Sequence, residues 1–191
     1  MRLMAITTAA FLAASNVQAE LHTEPVEYKQ GDTVLEGYLA YDGAVKGARA
    51  GVLVVHDWLG LEGYAKSRAD QLAKLGYVAF AADIYGKGVR PKGPEEAMAQ
   101  VKKYKSDRTL LRARVNAALD VLKKQPQCDT KRIAAIGYCF GGTTALELAR
   151  SGADIAGIVS FHGGLDTPAR DAKNIKCKVL ICHGADDPYV P

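Results

Sequence analysis

The chain has 191 residues, 48% of them hydrophobic and 24% charged, with a net charge of +4. That is ordinary soluble composition with enough apolar residues for one sizeable core, so one domain is expected. The basic residues are scattered, and the densest run, Lys102-Lys103-Tyr104-Lys105, falls on a predicted helix as a solvated face, which argues against nucleic acid as a partner.

The first residues read as an export signal. Arg2 precedes an apolar run from Leu3 to Ala14, and Val17-Gln18-Ala19 offers small residues at the positions a signal peptidase reads. Cleavage is expected after Ala19, giving a mature domain over 20–191 in the periplasm or outside the cell. The apolar run, roughly 12 residues, is too short to cross a bilayer, and no later segment is long and apolar enough to do so. Export also bears on Cys128, Cys139, Cys177 and Cys182, because disulfides persist outside the cytoplasm. A Cys128–Cys177 bridge is left open, since both lie just ahead of predicted strands. No cysteine or histidine spacing suggests a metal site.

After the signal, strands and helices alternate. Thr33–Asp42 alternates as an antiparallel strand near a sheet edge. Gly51 to Val55 is a continuous β-branched run, as in a strand buried on both faces. Ala65, Ala69, Leu72 and Leu75 recur at helical spacing, with Gly76 as the stop. "YVAFAADIYG" is the next buried strand, ending at Asp83. Pro94 with Glu95 and Glu96 starts a helix, the acids near its positive end. Leu111, Val115, Ala118, Leu119 and Leu122 mark one face of another helix. "RIAAIGYC" is a strand, "GGTTALELAR" a helix, and "IAGIVSFHG" and "KVLICHG" two further strands. The fold class is α/β with a mostly parallel sheet flanked by helices. Chemistry should gather at the carboxyl ends of the strands, where His56, Asp57, Asp83, Cys139, His162 and the His183–Asp187 loop fall.

Gly137-Tyr138-Cys139-Phe140-Gly141 has the spacing of a nucleophile elbow, G-x-S-x-G, with cysteine for serine. A strand precedes it and a helix follows, as that turn requires. The glycines remove side chains that would collide in so tight a bend. Gly142 lets the helix approach its neighbouring strands. Cys139 is thereby presented above the sheet at a helix start, where N–H groups and the dipole favour a thiolate. An oxyanion hole would combine the Phe140 N–H with a donor from the loop after an earlier strand. "VVHDWLGL" supplies it, through the Trp58 N–H. The same loop brings Asp57 near the sulfur, where a carboxylate would hold the thiol protonated until substrate arrives.

With "HDWLGL", "DIYGKG", "GYCFGG", "SFHGGL" and "HGADDPYVP" in that order, the chain from about Glu24 to Pro191 resembles the dienelactone hydrolases, of the α/β-hydrolase fold. The resemblance implies hydrolysis of ester or lactone bonds, with a small-molecule substrate, no cofactor or metal, and a monomeric full-length protein. It also implies a Cys-His-Asp triad, with Cys139 as nucleophile and Asp187, ahead of Pro188-Tyr189-Val190-Pro191, as the acid. Two departures from the family pattern stand out. Asp57 takes the place of a glutamate. Lys87, with Arg90 nearby, takes the place of an arginine that binds the substrate carboxylate, giving a point charge instead of a planar fork.

The triad histidine of this fold follows the acid. All four histidines here (His22, His56, His162 and His183) precede Asp187. The expectation is a C-terminally truncated copy, with the last strand and helices missing, little or no turnover, and "KVLICHG" exposed as an aggregation-prone edge. His56, His162 and His183 read as loop-structuring residues. The alternative reading is a non-catalytic module that binds a small carboxylate in the same pocket. A thiol redox role lacks a CxxC.

Overall fold

The computed structural model describes residues 19–166 and 168–190; the expected export signal, Ala19 apart, lies outside them. Seven strands form one mixed sheet. They are β1 (Leu21–Gln30), β2 (Thr33–Asp42), β3 (Arg49–Val55), β4 (Val78–Ala82), β5 (Cys128–Tyr138), β6 (Gly157–Phe161) and β7 (Lys178–Cys182). Their order is β1-β2-β4-β3-β5-β6-β7. The β1–β2 and β2–β4 pairs are antiparallel, and every pair from β4 to β7 is parallel. The helices are α1 (Gly63–Lys74), α2 (Pro94–Ser106), α3 (Arg108–Lys123) and α4 (Phe140–Arg150), with a short 3-10 helix at Ala169–Asn174. None among the described residues is long and apolar enough to cross a membrane.

Period-two side-chain alternation divides the core. Val52 and Val54 of β3, with Ala79 and Ala81 of β4, pack with the small face of α1, Ala65, Ala69 and Ala73. Leu53, Val55, Val78 and Phe80 belong to the larger cluster on the other face, with α3 and α4. That face holds most of the large fully buried side chains, each worth about 1.5–3 kcal/mol of transfer free energy. The expected signals are in place: Pro94 opens α2 and Gly76 (φ 89°) ends α1. A cap the sequence reading did not name is Asp107, which accepts from Leu110 N–H at 2.9 Å at the start of α3.

Three features go beyond the sequence reading. The first is β1, whose residues are mostly polar; it forms an exposed edge strand, held to β2 by a two-residue Gly31-Asp32 turn. The second is the start of β5 at Cys128, because its register with β3 jumps from Asp129 to Ile133 and bulges Thr130–Arg132 out of the ladder. The third concerns cysteine pairing, for Cys128, Cys139, Cys177 and Cys182 are all free thiols. Edge exposure at β7 follows the expectation: Val179, Leu180 and Ile181 are 41%, 56% and 42% exposed.

Candidate active site

Cys139 joins β5 to α4 at φ 55°, ψ −115°. That backbone lies outside the relaxed regions for an L-residue, at a cost of about 1–3 kcal/mol. Packing on both sides enforces it. A Cβ on Gly137 would lie 1.9 Å from Gly141 O, and one on Gly141 would lie 2.3 Å from Val55 O at the end of β3. Gly137 is therefore needed for the bend itself. Gly141 is needed because the helix start touches the neighbouring strand end. Two glycines open α4, yet all eleven of its residues are buried, so packing and not intrinsic propensity holds the helix. The turn is tied down by Cys139 N–H donating to Phe161 O at 2.8 Å, and by Gly142 and Thr143 N–H donating to Cys139 O.

A cavity of about 730 Å³ opens at the carboxyl ends of the strands. Cys139, Asp57, Trp58, Phe140 and His162 line it, and Lys105 and Tyr189 stand on its wall. Most of the remaining lining is apolar, from Met98, Val101 and Val190. Such a cavity suits a small ligand with an apolar body and a few polar groups.

Electrostatics at the sulfur combine opposing effects. Burial pushes the Cys139 thiol up, the Phe140 N–H directed at it pulls it down, and Asp57 and Asp187 push it up again, against a smaller pull from Lys105. The helix start does favour the thiolate, as expected, but desolvation outweighs it. The resting group is a thiol. Asp57 lies where its charge acts on the sulfur, and its Oδ1 also accepts from Leu59 N–H at 2.8 Å, which fixes the loop. Tyr85 Oη donates to Trp58 O at 3.1 Å and braces the same loop.

Asp187 Oδ1 accepts from the N–H groups of Tyr189 and Val190, at 2.8 and 2.9 Å. These bonds hold its carboxyl below the usual carboxylate range, with His162 and His183 adding to the effect. Its other oxygen lies 2.7 Å from His162 Nε2. The sequence reading placed His162 at a strand end but gave it only a loop-structuring role, because nothing in one sequence shows that the β6 and β7 loops converge. His183 is farther, 4.0 Å from Asp187, and its Nε2 is engaged with Val190 O. His56 is 1% exposed and fully used, Nδ1 donating to Asp57 O and Nε2 accepting from Ile84 N–H. Burial holds it below the ordinary histidine range. It is a loop-structuring residue, as read.

Other expected site residues are placed elsewhere. Lys87 pairs with Glu27 and Glu36, and Arg90 lies 3.2 Å from Glu62. Neither is among the residues that line the cavity: acids of β1, β2 and the β3–α1 loop pair with both cations, and Lys105 of α2 lines the cavity instead. Asp83 is fully buried, accepting from the N–H groups of Glu36, Tyr85 and Gly86, and shapes its own loop.

Comparison with known proteins agrees with this geometry. Residues 35–191 match the model of the dienelactone hydrolase family. Protein usf of Aquifex pyrophilus is 31% identical over 172 residues, which span 86% of this chain and 72% of that protein. The carboxymethylenebutenolidase of Pseudomonas putida is 24% identical over 168 residues, 80% of this chain and 70% of that one. A solved structure described as a dienelactone hydrolase-like promiscuous phosphotriesterase from metagenomic libraries is 44% identical. It superposes with a TM-score of 0.86 over 90% of this chain and 72% of its own. With the seven-stranded mixed sheet, the strained cysteine turn and the matched family model in agreement, this chain belongs to the dienelactone hydrolase family and has its α/β-hydrolase fold.

Proposed function

We propose that the protein hydrolyses carboxylic ester or lactone bonds, with Cys139 as the nucleophile. The observation that carries this reading is the strained Cys139 backbone at the floor of the cavity, enforced by glycines on either side. A structural thiol needs no such backbone, and a pocket that only binds a carboxylate gains nothing from a sulfur held at its floor.

Sulfur attack on a carbonyl moves charge to its oxygen. In this reading the Phe140 and Trp58 N–H groups are the donors that receive it, and one such donor is worth roughly 10²–10³ in rate. Burial, with Asp57 adding to it, keeps Cys139 protonated at rest, which protects it from other electrophiles. Lys105 is the cation available to a carboxylate on the substrate. Asp187 orients the imidazole that moves the proton. Hydrolysis of the acyl–cysteine thioester by water completes the cycle.

The test is hydrolysis of p-nitrophenyl acetate and of a carboxylate-bearing enol lactone. Cys139→Ala is expected to abolish turnover while leaving the circular dichroism spectrum unchanged. Equal rates for the two proteins would favour the binding-module reading. A phosphotriester belongs in the same assay, since the relative described as a promiscuous phosphotriesterase is 44% identical.

A further inference from the structure

We propose that a second cavity, at the amino ends of β3 and β5, binds a small hydroxy-carboxylate through Arg49 and Gln127. The site is separate from the proposed hydrolysis and stands or falls without it.

This cavity has a volume of about 450 Å³, with walls from the start of β1, the β2–β3 loop and the turn before β5. Arg49 opens β3, whereas the Cys139 cavity is reached past the far end of that strand, at Asp57. The two cavities share no lining residue and lie roughly 20 Å apart along the strand. Arg49 is the reason to expect an anion. It is only 8% exposed, yet among the described residues no carboxylate forms an ion pair with it. Nη1 donates to Asp42 O at 2.7 Å, and the guanidinium lies 5.7 Å from the Tyr41 ring centroid. Nε is buried with no hydrogen-bond partner among the described residues. A cation so desolvated is costly to keep unless a polar partner completes it. Gln127, whose backbone carbonyl accepts from Arg49 N–H at 2.8 Å, follows the same pattern: its Oε1 is buried and unpartnered too. One cavity therefore carries an unused charged donor beside an unused acceptor. A carboxylate on the Arg49 edge, with a hydroxyl donating to Gln127 Oε1, satisfies both.

Charge narrows the class of ligand. Among the permanently charged lining residues, Lys46 and Arg49 stand against Glu20 alone, an excess of one positive charge. That balance suits a monocarboxylate better than a phosphate dianion. His22 and Tyr41, their ring centroids 4.6 Å apart, add an aromatic wall. The walls are tied together before any ligand arrives. Gly43 N–H donates to Glu20 O at 2.7 Å, and Asp42 Oδ1 accepts from the N–H groups of Glu20 and Ala44 at 2.9 Å each. Arg132 Nη2 donates to Ala48 O at 3.3 Å and anchors the β2–β3 loop to the β5 bulge. A site fixed in this way loses little freedom on binding.

Titration of the full chain with glycolate, followed by two-dimensional amide NMR, tests the site, with acetate and inorganic phosphate as companion probes. Glycolate should give saturable shifts at the amides of the β2–β3 loop and of Gln127, with affinity in the millimolar range. Acetate lacks the hydroxyl and should bind about fivefold more weakly. Arg49→Gln should weaken glycolate by about tenfold or more. Because Arg49 is packed into the wall, Gln127→Leu is the second variant, and it should bring glycolate down to the affinity of acetate. Circular dichroism checks that both variants fold. Shifts confined to the amides around Cys139, or none that saturate, would overturn the site. Wild-type affinity in a folded Arg49→Gln chain would overturn the role of Arg49. Phosphate binding more tightly than glycolate would overturn the carboxylate assignment, and equal affinities for glycolate and acetate would overturn the role of Gln127.

Discussion

Cys139 is governed by opposing effects of similar kind. Desolvation and two carboxylates favour the thiol, while the Phe140 N–H and Lys105 favour the thiolate. Only the thiolate is nucleophilic, so alkylation reports the balance. Iodoacetamide is expected to modify Cys139 slowly at pH 7.5, with the rate still rising beyond the ordinary thiol range. Replacing Asp57 by asparagine removes a negative charge near the sulfur and lowers its pKa. The Asp57→Asn chain should therefore be alkylated faster at fixed pH, by roughly twofold or more, its rate–pH profile shifted to lower pH. A profile unchanged or shifted upward would show that Asp57 does not act on the sulfur through charge.

Elements rather than single residues hold the cavity wall in place. Glu147 of α4 is fully buried and accepts from Arg108 at 2.6 Å, Arg112 at 2.7 Å and Arg150 at 2.9 Å. Arg108 and Arg112 also reach Asp166 and Asp171, and Arg150 donates to Leu165 O. The cluster binds α3 and α4 to the segment that follows His162. Removing the one buried acid leaves three cations with no central partner. Glu147→Ala is expected to cost about 3–5 kcal/mol, read as a lower urea midpoint at constant slope. A change below about 1 kcal/mol would mean that solvent already screens the cluster. At the other end of the sheet, β7 presents an apolar strand with its outer edge unpaired among the described residues.

For the whole molecule, the sequence by itself determined what local chemistry controls. The β-branched runs specified β3 and β4, helical spacing and caps specified α1 to α3, and glycine spacing located the Cys139 turn. Each of these signals acts within a few residues, so each is visible in one chain. The Asp57 and Trp58 loop was legible for the same reason, as it follows directly from β3. Tertiary structure decided the rest, because it depends on which segments meet. β1 is mostly polar and gives no strand signal of its own; pairing with β2 satisfies its backbone. Lys87 and Arg90 looked available for a substrate until acids distant in sequence took them up. Burial, a property of the packed fold, overrode the helix dipole at Cys139. His162 and Asp187 are 25 positions apart in sequence, and only the parallel pairing of β6 with β7 brings their loops within a hydrogen bond of each other.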